Sequence, residues 1–326
     1  MTLQYRPMEP NDVAPCVEIV ASHPYLGPRY GSGIARLGHT WHELLGRLAF
    51  TAVVFEEWVD GTGPRLVGAG ISAFVSDVFL HDIKSPPLCW IGPEIVKSTE
   101  RGESSVLSDK ELAEGNTRGG LNLVGVHGAT RIEDMKRPEI LNFIFSSFIE
   151  LHRGFSVKEL LGQADSPEVL QAMRNSGGSF FDPECGTFVP SIAGTPDEIV
   201  AKPHLIGSTR DAALAGTWLS GSAIFAYQPP RFGFTRSEQR LLTAALRGYT
   251  DQELSAQLAI SNSVVRRSWL SIYERVASQS PEVLGQHEHT PASPLSVRGK
   301  SKKHRLLAYL HDHPEELRPT ARTRKP

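Results

Sequence analysis

The sequence has little of what marks several classes of protein. Only three cysteines occur in 326 residues, and Cys16, Cys89 and Cys185 lie far apart, which argues against a disulfide framework or a thiolate metal cage. No apolar run reaches the roughly 18 residues that a membrane span needs, and the opening MTLQYRPMEPND lacks the apolar stretch of a secretory signal. We therefore expect a cytoplasmic protein with no membrane partner.

Motifs of common catalytic and cofactor sites are also lacking. The chain contains no serine nucleophile elbow, no phosphate-binding P-loop and no His-Glu-x-x-His sequence. The His-x-His pairs at 287–289 and 311–313 are more typical of solvated loops than of a metal site. The stretch GAGISA (Gly68–Ala73) matches a dinucleotide fingerprint, but the alternating apolar residues around it predict a strand that continues through the glycines. We predict no metal and no cofactor.

The charges divide unevenly along the chain, although the net charge is only −2. Residues 1–230 contain 18 Lys+Arg and 27 Asp+Glu, whereas residues 231–326 contain 16 Lys+Arg and 9 Asp+Glu. A basic segment joined to an acidic one is typical of proteins whose basic part binds a polyanion. The alternative is a tail that is merely solvated.

Residues 1–226 alternate strand-like and helix-like patterns, which predicts a mixed α/β unit. The predicted strands are Phe50–Glu56, Arg65–Val75, Leu121–Gly125, Val157–Gln163 and Ser179–Phe188. The predicted helices are Asn11–Ala21, Gly38–Ala49, Arg137–His152 and Pro167–Asn175. Aromatic residues of this unit are more typical of a core than of a ligand cage, although the same residues could line a sensory pocket for a small-molecule effector.

Proline-rich and serine-rich stretches divide the rest of the chain. Residues 227–233 (YQPPRFG) carry two prolines, which cannot continue a strand or a helix interior, and they predict an interdomain linker. A compact helical unit is predicted over residues 234–277. Residues 278–297 are poor in large apolar residues and rich in Ser and Pro, which predicts a flexible linker. Residues 298–326 predict a basic tail with a short helix and a disordered end.

Helix-start signals recur in residues 234–277. Thr235 with Glu238, and Thr250 with Glu253, form two Thr-x-x-Glu boxes, in which each side chain satisfies a free amide of the other residue. Gly248 stands where a left-handed residue closes the first helix. These signals predict a helix over Arg236–Arg247 and a second helix that begins after Thr250 and runs through Leu258.

A third helix is predicted after a tight turn at Ala259 and Ile260, with Ser261 as its N-cap. Its apolar residues recur at spacings of four, three and four, which places one stripe against the core: Val265, Trp269, Ile272 and Val276. The opposite side of its first turns then exposes a polar and basic set: Asn262, Ser263, Arg266 and Arg267. In a DNA-recognition helix, residues near the N-terminal end contact base edges, and the free backbone amides there favour phosphate.

The order of these residues resembles the helix-turn-helix of LuxR-type response regulators, which aligns to Phe234–Val276 without a gap. The Leu-Thr-x-x-Glu of that family falls on residues 234–238, its Leu-Gly-Ile-Ser turn on residues 258–261, and its Thr-Val-Lys/Arg on residues 264–266. The resemblance implies an all-α domain that binds double-stranded DNA for transcription regulation, usually as a homodimer on half-sites about one helical turn apart. Arg266 and Arg267 are the main predicted contacts, with Asn262 and Ser263 as candidate base readers.

Three residues depart from the family pattern. Ala259 stands in place of the turn glycine, which is unfavourable if that position needs a positive φ. Val264 replaces a threonine that could bind phosphate, and Ser268 replaces a common histidine. Ser268 stays among the candidate DNA-binding residues, together with the caps Thr250 and Ser261. A helical hairpin that serves only packing or dimerisation is the alternative.

A basic run precedes the C-terminus, formed by Arg298, Lys300, Lys302, Lys303 and Arg305. Such residues could add phosphate contacts that strengthen DNA binding without specifying its sequence. A solvated tail without DNA contacts is the alternative.

The first unit resembles GNAT acetyltransferases in the order of its predicted elements. Residues 5–20 predict a strand, an acidic turn and a helix, and residues 121–182 predict a strand, a long helix, a strand, a helix and a strand. The resemblance implies an α+β, GNAT-like fold. Acetyl-CoA binding in that family depends on a Gln/Arg-x-x-Gly-x-Gly/Ala loop, whose amides hold the pyrophosphate.

The corresponding stretch, GATRIEDMKRPE, does not fit that loop. It has no second glycine, and it carries Glu133 and Asp134 where phosphate should approach. No tyrosine lies between Tyr30 and Tyr227 to serve as the usual acid of the family. We therefore expect a sensory or scaffold domain without catalysis in a bacterial-type transcriptional regulator. The alternative is an N-acyltransferase that uses acetyl-CoA and recruits its substrate through the helical unit.

Overall fold

The structure, a computed structural model, describes residues 2–59, 61, 63–175, 178–217, 222–285 and 295–321. The chain divides into two compact units, Met1–Ala226 and Tyr227–Pro326. Among the described residues no helix combines the length and the apolar character that crossing a membrane requires.

An eight-stranded sheet forms the centre of the first unit, in the order β1-β2-β3-β4-β5-β8-β6-β7. All neighbouring strands are antiparallel except β4 and β5, which are parallel. The strands are β1 (Thr2–Pro7), β2 (Phe50–Val59), β3 (Gly63–Val75), β4 (Leu121–Thr130), β5 (Val157–Gly162), β6 (Ser179–Asp182), β7 (Thr187–Val189) and β8 (Ile206–Thr209). The predicted mixed α/β character is confirmed.

Helices connect these strands, and some of them begin at capping residues. Ser108 with Glu111, and Thr195 with Glu198, form capping boxes at the starts of α6 and α9. The helices of this unit are α1 (Val13–Ser22), α2 (Leu26–Tyr30), α3 (Ile34–Leu44), α4 (Asp77–Lys84), α5 (Ile91–Glu100), α6 (Asp109–Thr117), α7 (Pro138–His152), α8 (Pro167–Asn175), α9 (Pro196–Val200), α10 (Arg210–Ala212) and α11 (Ser222–Phe225).

The central strands are buried on both faces of the sheet. Val54 belongs to the main core with residues of α1 and α3, whereas its neighbours Val53 and Phe55 pack with Ile140 and Ile144 of α7. This alternation follows from the period of two along a strand, which turns successive side chains to opposite faces. The helix α7 therefore covers one face of β2 and β3.

The predicted elements of this unit occur with shifted ends, and one prediction was wrong. Strand β3 continues through Gly68 and Gly70, so GAGISA is strand and not a nucleotide-binding turn. The range Ser179–Phe188 is not one strand, because β6 and β7 form a hairpin there. Asp182 Oδ1 accepts the amide of Glu184 at 2.9 Å, and Gly186 has a φ of 68°, so the intervening residues turn the chain.

Helices and 3-10 turns make up the described part of the second unit. The helices are α12 (Arg236–Leu246), α13 (Asp251–Gln257), α14 (Asn262–Gln279) and α15 (Leu295–Asp312), and 3-10 turns occupy Pro281–Leu284 and Pro314–Leu317. Leu242, Leu254 and Leu306 are fully buried in one shared core. A single core therefore includes α15 as well as the predicted helix-turn-helix.

The predicted linker 227–233 is wrong at its C-terminal end. Phe232 is buried in the core of the second unit. The amides of Arg231 and Phe232 donate to the two carboxylate oxygens of Glu316, at 2.7 and 3.0 Å. The prolines exclude a helix or strand interior, but they do not prevent the residues that follow from docking.

Two further predicted boundaries are wrong. The predicted flexible linker 278–297 is wrong for residues 278–285, because α14 extends to Gln279 and Leu284 is buried. The predicted tail 298–326 is not free, because Leu306 and Leu310 of the 18-residue α15 are buried in the core. The linker prediction is also wrong for residues 295–297, which are the first residues of α15. Residues 286–294 of the predicted linker and 322–326 of the predicted disordered end lie outside the described residues.

Candidate nucleic-acid interface

Each helix of the predicted helix-turn-helix begins at its predicted cap. Thr235 and Thr250 take part in reciprocal boxes at the starts of α12 and α13. At the second, Glu253 Oε2 accepts the Thr250 amide at 2.7 Å, and hydrogen bonds from the amide and hydroxyl of Thr250 lower the pKa of Glu253. Ser261 Oγ accepts the amide of Val264 at 3.4 Å and caps α14. A cap of this kind contributes about 1 kcal/mol.

The turn between α13 and α14 adopts the geometry for which a glycine is favoured. Ala259 has a φ of 52°, the one positive φ at a non-glycine residue in the described chain. Ser255 closes the turn with two contacts to Ile260: its hydroxyl donates to the Ile260 carbonyl at 2.5 Å, and its carbonyl accepts the Ile260 amide at 3.1 Å. The departure at Ala259 therefore has the consequence expected from the sequence.

The apolar stripe of α14 faces the core as predicted. Val265, Ile272 and Val276 are fully buried and Trp269 is 5% exposed. They pack with apolar residues of α12 and α13, which fixes the rotation of α14 about its own axis. The residues on the opposite side of α14 must then face outward.

A buried carboxylate joins α12 to α14. Glu238 Oε1 accepts the Ser271 hydroxyl at 3.0 Å, and Glu238 Oε2 lies 3.1 Å from Arg275 Nη2. Burial alone would raise the pKa of Glu238, but its hydrogen bonds to Thr235 and Ser271 and the charge of Arg275 leave it lowered. Glu238, which belongs to the capping box of α12, thus also binds α14.

The outward side of α14 carries the predicted DNA-contacting residues together. Asn262, Ser263, Arg266 and Arg267 are exposed, whereas Ser268 is half-buried. Neither arginine has a salt-bridge partner within the described ranges. Leu270 is not among the predicted residues, although it is 61% exposed. Its position four residues after Arg266 places it on the same side of a helix, so the sequence pattern could have indicated it.

The basic run lies on α15, where its members have different surroundings. Lys303 Nζ donates to Asp251 Oδ1 at 2.9 Å and lies 4.8 Å from the centre of the Trp269 ring. Lys302 is half-buried and Arg305 is exposed. Arg298 and Lys300 belong to α15, but their side chains lie outside what the structure describes.

In the first unit, Asp134 and Arg137 of the stretch GATRIEDMKRPE belong to an ion-pair cluster. Asp134, at 2% exposure, accepts hydrogen bonds from Arg65 at 2.8 and 2.9 Å and from Arg137 at 3.0 Å. Glu57 contacts the same two arginines, at 2.6 and 2.7 Å. Hydrogen bonds from Arg137 and Arg65 hold the pKa of Glu57 well below its usual range.

The histidine and cysteine residues form no metal site in the described part of the chain. No group of three or more His, Cys, Asp or Glu side chains that could hold a metal ion occurs there. His313 Nδ1 lies 2.9 Å from Glu315 and the ring stacks on Tyr309, while His287 and His289 lie outside the described residues.

Neither a model of a known protein family, nor a curated protein, nor a solved structure matches this chain. A proposal of function therefore rests on the residues and contacts of the two units.

Proposed function

We propose that this protein is a DNA-binding transcriptional regulator whose α14 reads the major groove. The observation that carries the proposal is the division of α14 into two sides. One side is an unbroken buried stripe, and the other exposes Arg266 and Arg267 with no acidic neighbour within hydrogen-bonding distance among the described residues. A hairpin that serves only packing has no use for two adjacent unpaired arginines.

The chemistry of the exposed side suits a duplex. An arginine guanidinium can donate two parallel hydrogen bonds to guanine, and an asparagine can form a pair with adenine, in which its amide donates to N7 and its carbonyl accepts from N6. Asn262 and Ser263 stand in the first turn of α14, where free amides also favour phosphate. The arginines follow one turn later, so base reading and backbone contact would come from one short segment of helix.

The second unit is proposed to be an all-α, LuxR-type helix-turn-helix domain. The three caps, the left-handed turn residue and the buried stripe stand at the positions that carry the resemblance. Docking of α15 on the same core would extend the domain beyond the 43 residues of the aligned region. A homodimer on two half-sites about one helical turn apart remains part of the proposal.

For the first unit we propose a GNAT-like α+β fold with a sensory or scaffold role. The elements β4, α7, β5, α8 and β6 follow one another in the order that carries this resemblance. The proposal of no catalysis is supported by the cluster before α7. There the carboxylates of Glu57, Asp134 and Glu139 already engage Arg65 and Arg137, and excess negative charge opposes a pyrophosphate.

The alternative, an acetyl-CoA-dependent N-acyltransferase, has a direct test. Titration calorimetry of the full-length protein with acetyl-CoA is expected to give no measurable heat of binding. A dissociation constant in the micromolar range or below would replace the proposed sensory role with that of an acyltransferase.

The regulator proposal is tested by selecting binding sites from random duplex DNA with the full-length protein. Affinity for the selected site and for scrambled DNA is then measured across salt concentrations. A specific regulator is expected to prefer its site by about 10³-fold or more, and a dimer should recover two related half-sites. No enrichment, with weak binding that vanishes in salt, would reduce the interaction to charge attraction and overturn the proposal.

A further inference from the structure

One leucine on the outward side of α14 is largely exposed. Leu270 is 61% exposed, and it is the one large apolar side chain that the described residues of the second unit leave exposed to this extent. Trp269 and Ile272 of the same helix are buried in the core. An exposed leucine is common by itself, so its meaning depends on what surrounds it.

Helix geometry places Leu270 between the two arginines. Each residue of an α-helix turns about 100° and rises about 1.5 Å, so Leu270 lies about 40° from Arg266 and about 60° from Arg267 around the axis. It lies about 4.5 to 6 Å further along the axis than the arginines. Ser263, seven residues earlier, lies nearly in line with Leu270. All four side chains are exposed, so they form one outward stripe of α14.

The outward stripe ends at an acidic residue. Glu274 is exposed one turn after Leu270. A carboxylate repels phosphate, so contacts with DNA are favoured up to Leu270 and opposed beyond it. Leu270 is therefore the last residue of the stripe that suits the major groove.

The major groove contains one apolar group that suits a leucine. Adenine, guanine and cytosine present hydrogen-bonding groups there, whereas thymine also presents its 5-methyl group. Apolar side chains contact this methyl group and remove it from water. The side chain of leucine neither donates nor accepts a hydrogen bond, so the methyl group is the partner that it can recognise among the base edges.

A second copy of this chain is a less favourable partner for the same surface. In a symmetric dimer the same patch faces itself, so a contact centred on Leu270 brings Arg266 and Arg267 of both copies together. Like charges placed opposite each other oppose such a contact. The phosphates of DNA instead attract both arginines.

We infer that Leu270 specifies a thymine in the site that α14 reads, by packing against the 5-methyl group of that base. The inference rests on the proposed DNA binding and adds the base that the apolar residue selects. Successive base pairs rise by about 3.4 Å, and Leu270 lies about 4.5 to 6 Å beyond the arginines. The thymine should therefore stand within about two base pairs of the guanine that an arginine contacts.

Deoxyuridine tests this contact, because it differs from thymidine only by the missing methyl group. Each thymine of the site selected from random duplex DNA is replaced singly, and the affinity of the full-length protein is measured by fluorescence anisotropy. One replacement is expected to weaken binding about fourfold, which corresponds to the about 0.8 kcal/mol of one buried CH₂ group. Replacements of the other thymines should have little effect.

Three variants assign the methyl contact to Leu270. Leu270→Gln has a similar length and helix propensity but a polar end, and it should reduce the ratio of thymine to deoxyuridine affinity from about four to about one. Leu270→Met keeps an apolar side chain of similar volume and should retain most of the ratio. Leu214→Gln is the matched control, because Leu214 is 60% exposed but belongs to the first unit. This control should leave the ratio unchanged.

Failure of the inference and failure of the proposed function give different results. A selected site in which every thymine accepts deoxyuridine without loss would overturn the inference alone, and so would a ratio that Leu270→Gln leaves unchanged. Equal weakening of Leu270→Gln on thymine and deoxyuridine DNA would assign Leu270 to another contact, such as a dimer interface, and would also overturn it. If no site is selected from random DNA, the inference fails together with the proposed function.

Discussion

The indole N–H of Trp269 donates a hydrogen bond to Asp251 Oδ1 at 3.2 Å, and Lys303 Nζ donates to the same oxygen at 2.9 Å. Lys303 also lies over the Trp269 ring. The three residues belong to α13, α14 and α15, so one carboxylate oxygen links the helix before the turn, the proposed reading helix and the basic helix. Hydrogen bonds to a charged acceptor are stronger than hydrogen bonds to a neutral one.

Removing this carboxylate should destabilise the second unit. We expect Asp251→Ala to lower the free energy of unfolding by about 1 to 2 kcal/mol, because Trp269 loses its acceptor and Lys303 its counterion. Asp251→Asn keeps an oxygen for Trp269 and should cost less. Fluorine NMR of 5-fluorotryptophan in the full-length protein follows Trp269 during unfolding in denaturant. Asp312→Ala removes an exposed carboxylate of α15 as a control, and an Asp251→Ala transition equal to that control would contradict the expectation.

What the sequence could predict about this unit was set by distance along the chain. The caps at Thr235, Thr250 and Ser261 each act on an amide three residues away, so the pattern alone located them. The docking of α15 depends on contacts such as that of Lys303 with Asp251, 52 residues apart. Nothing local in the basic run distinguishes a docked helix from a solvated tail except the spacing of its leucines.

In the first unit, too, local patterns were predictable and contacts between distant residues were not. Strand β3 was predictable through its glycines, because its apolar residues alternate. The opening of the sheet between β4 and β5 was not predictable, because β4 continues past the end of β5 and strand pairing cannot be read from one strand. The orphaned Nδ1 of His127 depends on Tyr30, 97 residues away, which takes the other ring nitrogen.

The left-handed turn at Ala259 gives a second prediction. An alanine at a φ of 52° is strained by about 1 kcal/mol, whereas glycine adopts this conformation freely. Part of the gain is lost to the greater freedom of glycine in the unfolded chain. We therefore expect Ala259→Gly to stabilise the second unit by about 0.5 kcal/mol or less in the fluorotryptophan assay.

Ala256→Gly is the matched control for this substitution. Ala256 is also exposed, but it lies within α13, where glycine should destabilise by up to about 1 kcal/mol. Opposite signs for the two substitutions are the expected pattern. Equal signs would mean that the turn does not hold Ala259 in a left-handed conformation.

The arginine pair of α14 gives a third prediction, which concerns DNA. We expect Arg266→Ala with Arg267→Ala to reduce affinity for the selected site by a few kcal/mol, because a bidentate arginine–guanine contact discriminates by about 1 to 3 kcal/mol. Affinity for scrambled DNA should fall much less. Arg240→Ala with Arg247→Ala removes the same charge from exposed positions on and beside α12. If both double variants lose affinity equally on both DNAs, the assignment of α14 as the reading helix fails.

The buried histidines of the first unit give a pH prediction. Burial lowers the pKa of His127 to about 3 and that of His23 to about 4, from about 6.5 in the unfolded chain. Below pH 6.5 the unfolded chain therefore binds protons that the folded chain does not, so each histidine lowers stability as the pH falls. Asp165 opposes this, because burial raises its pKa to about 6 and the folded chain takes up that proton first.

His127→Gln isolates one of these groups. Between pH 6 and pH 5, the unfolding free energy of the wild type should fall more than that of the variant, by about 1.2 kcal/mol. Urea unfolding at pH 7, 6 and 5 measures the difference. His42→Gln, which changes an exposed histidine, is the matched control. Parallel pH profiles for wild type and His127→Gln would show that His127 is not buried in its neutral form.

The basic helix α15 gives the last prediction. Cutting the chain after α14 cannot test its role, because Leu306 and Leu310 are buried in the core and their loss would unfold the unit. Lys302→Ala with Arg305→Ala leaves these leucines in place. If both side chains contact phosphate, the slope of log affinity against log salt should become shallower by about 1.8, equally for selected and scrambled DNA. Lys303→Ala should mainly lower the stability of the second unit and should change this slope little, because its ammonium is held by Asp251. An unchanged slope in the double variant would leave Lys302 and Arg305 as solvated residues of a helix whose function is to complete the core.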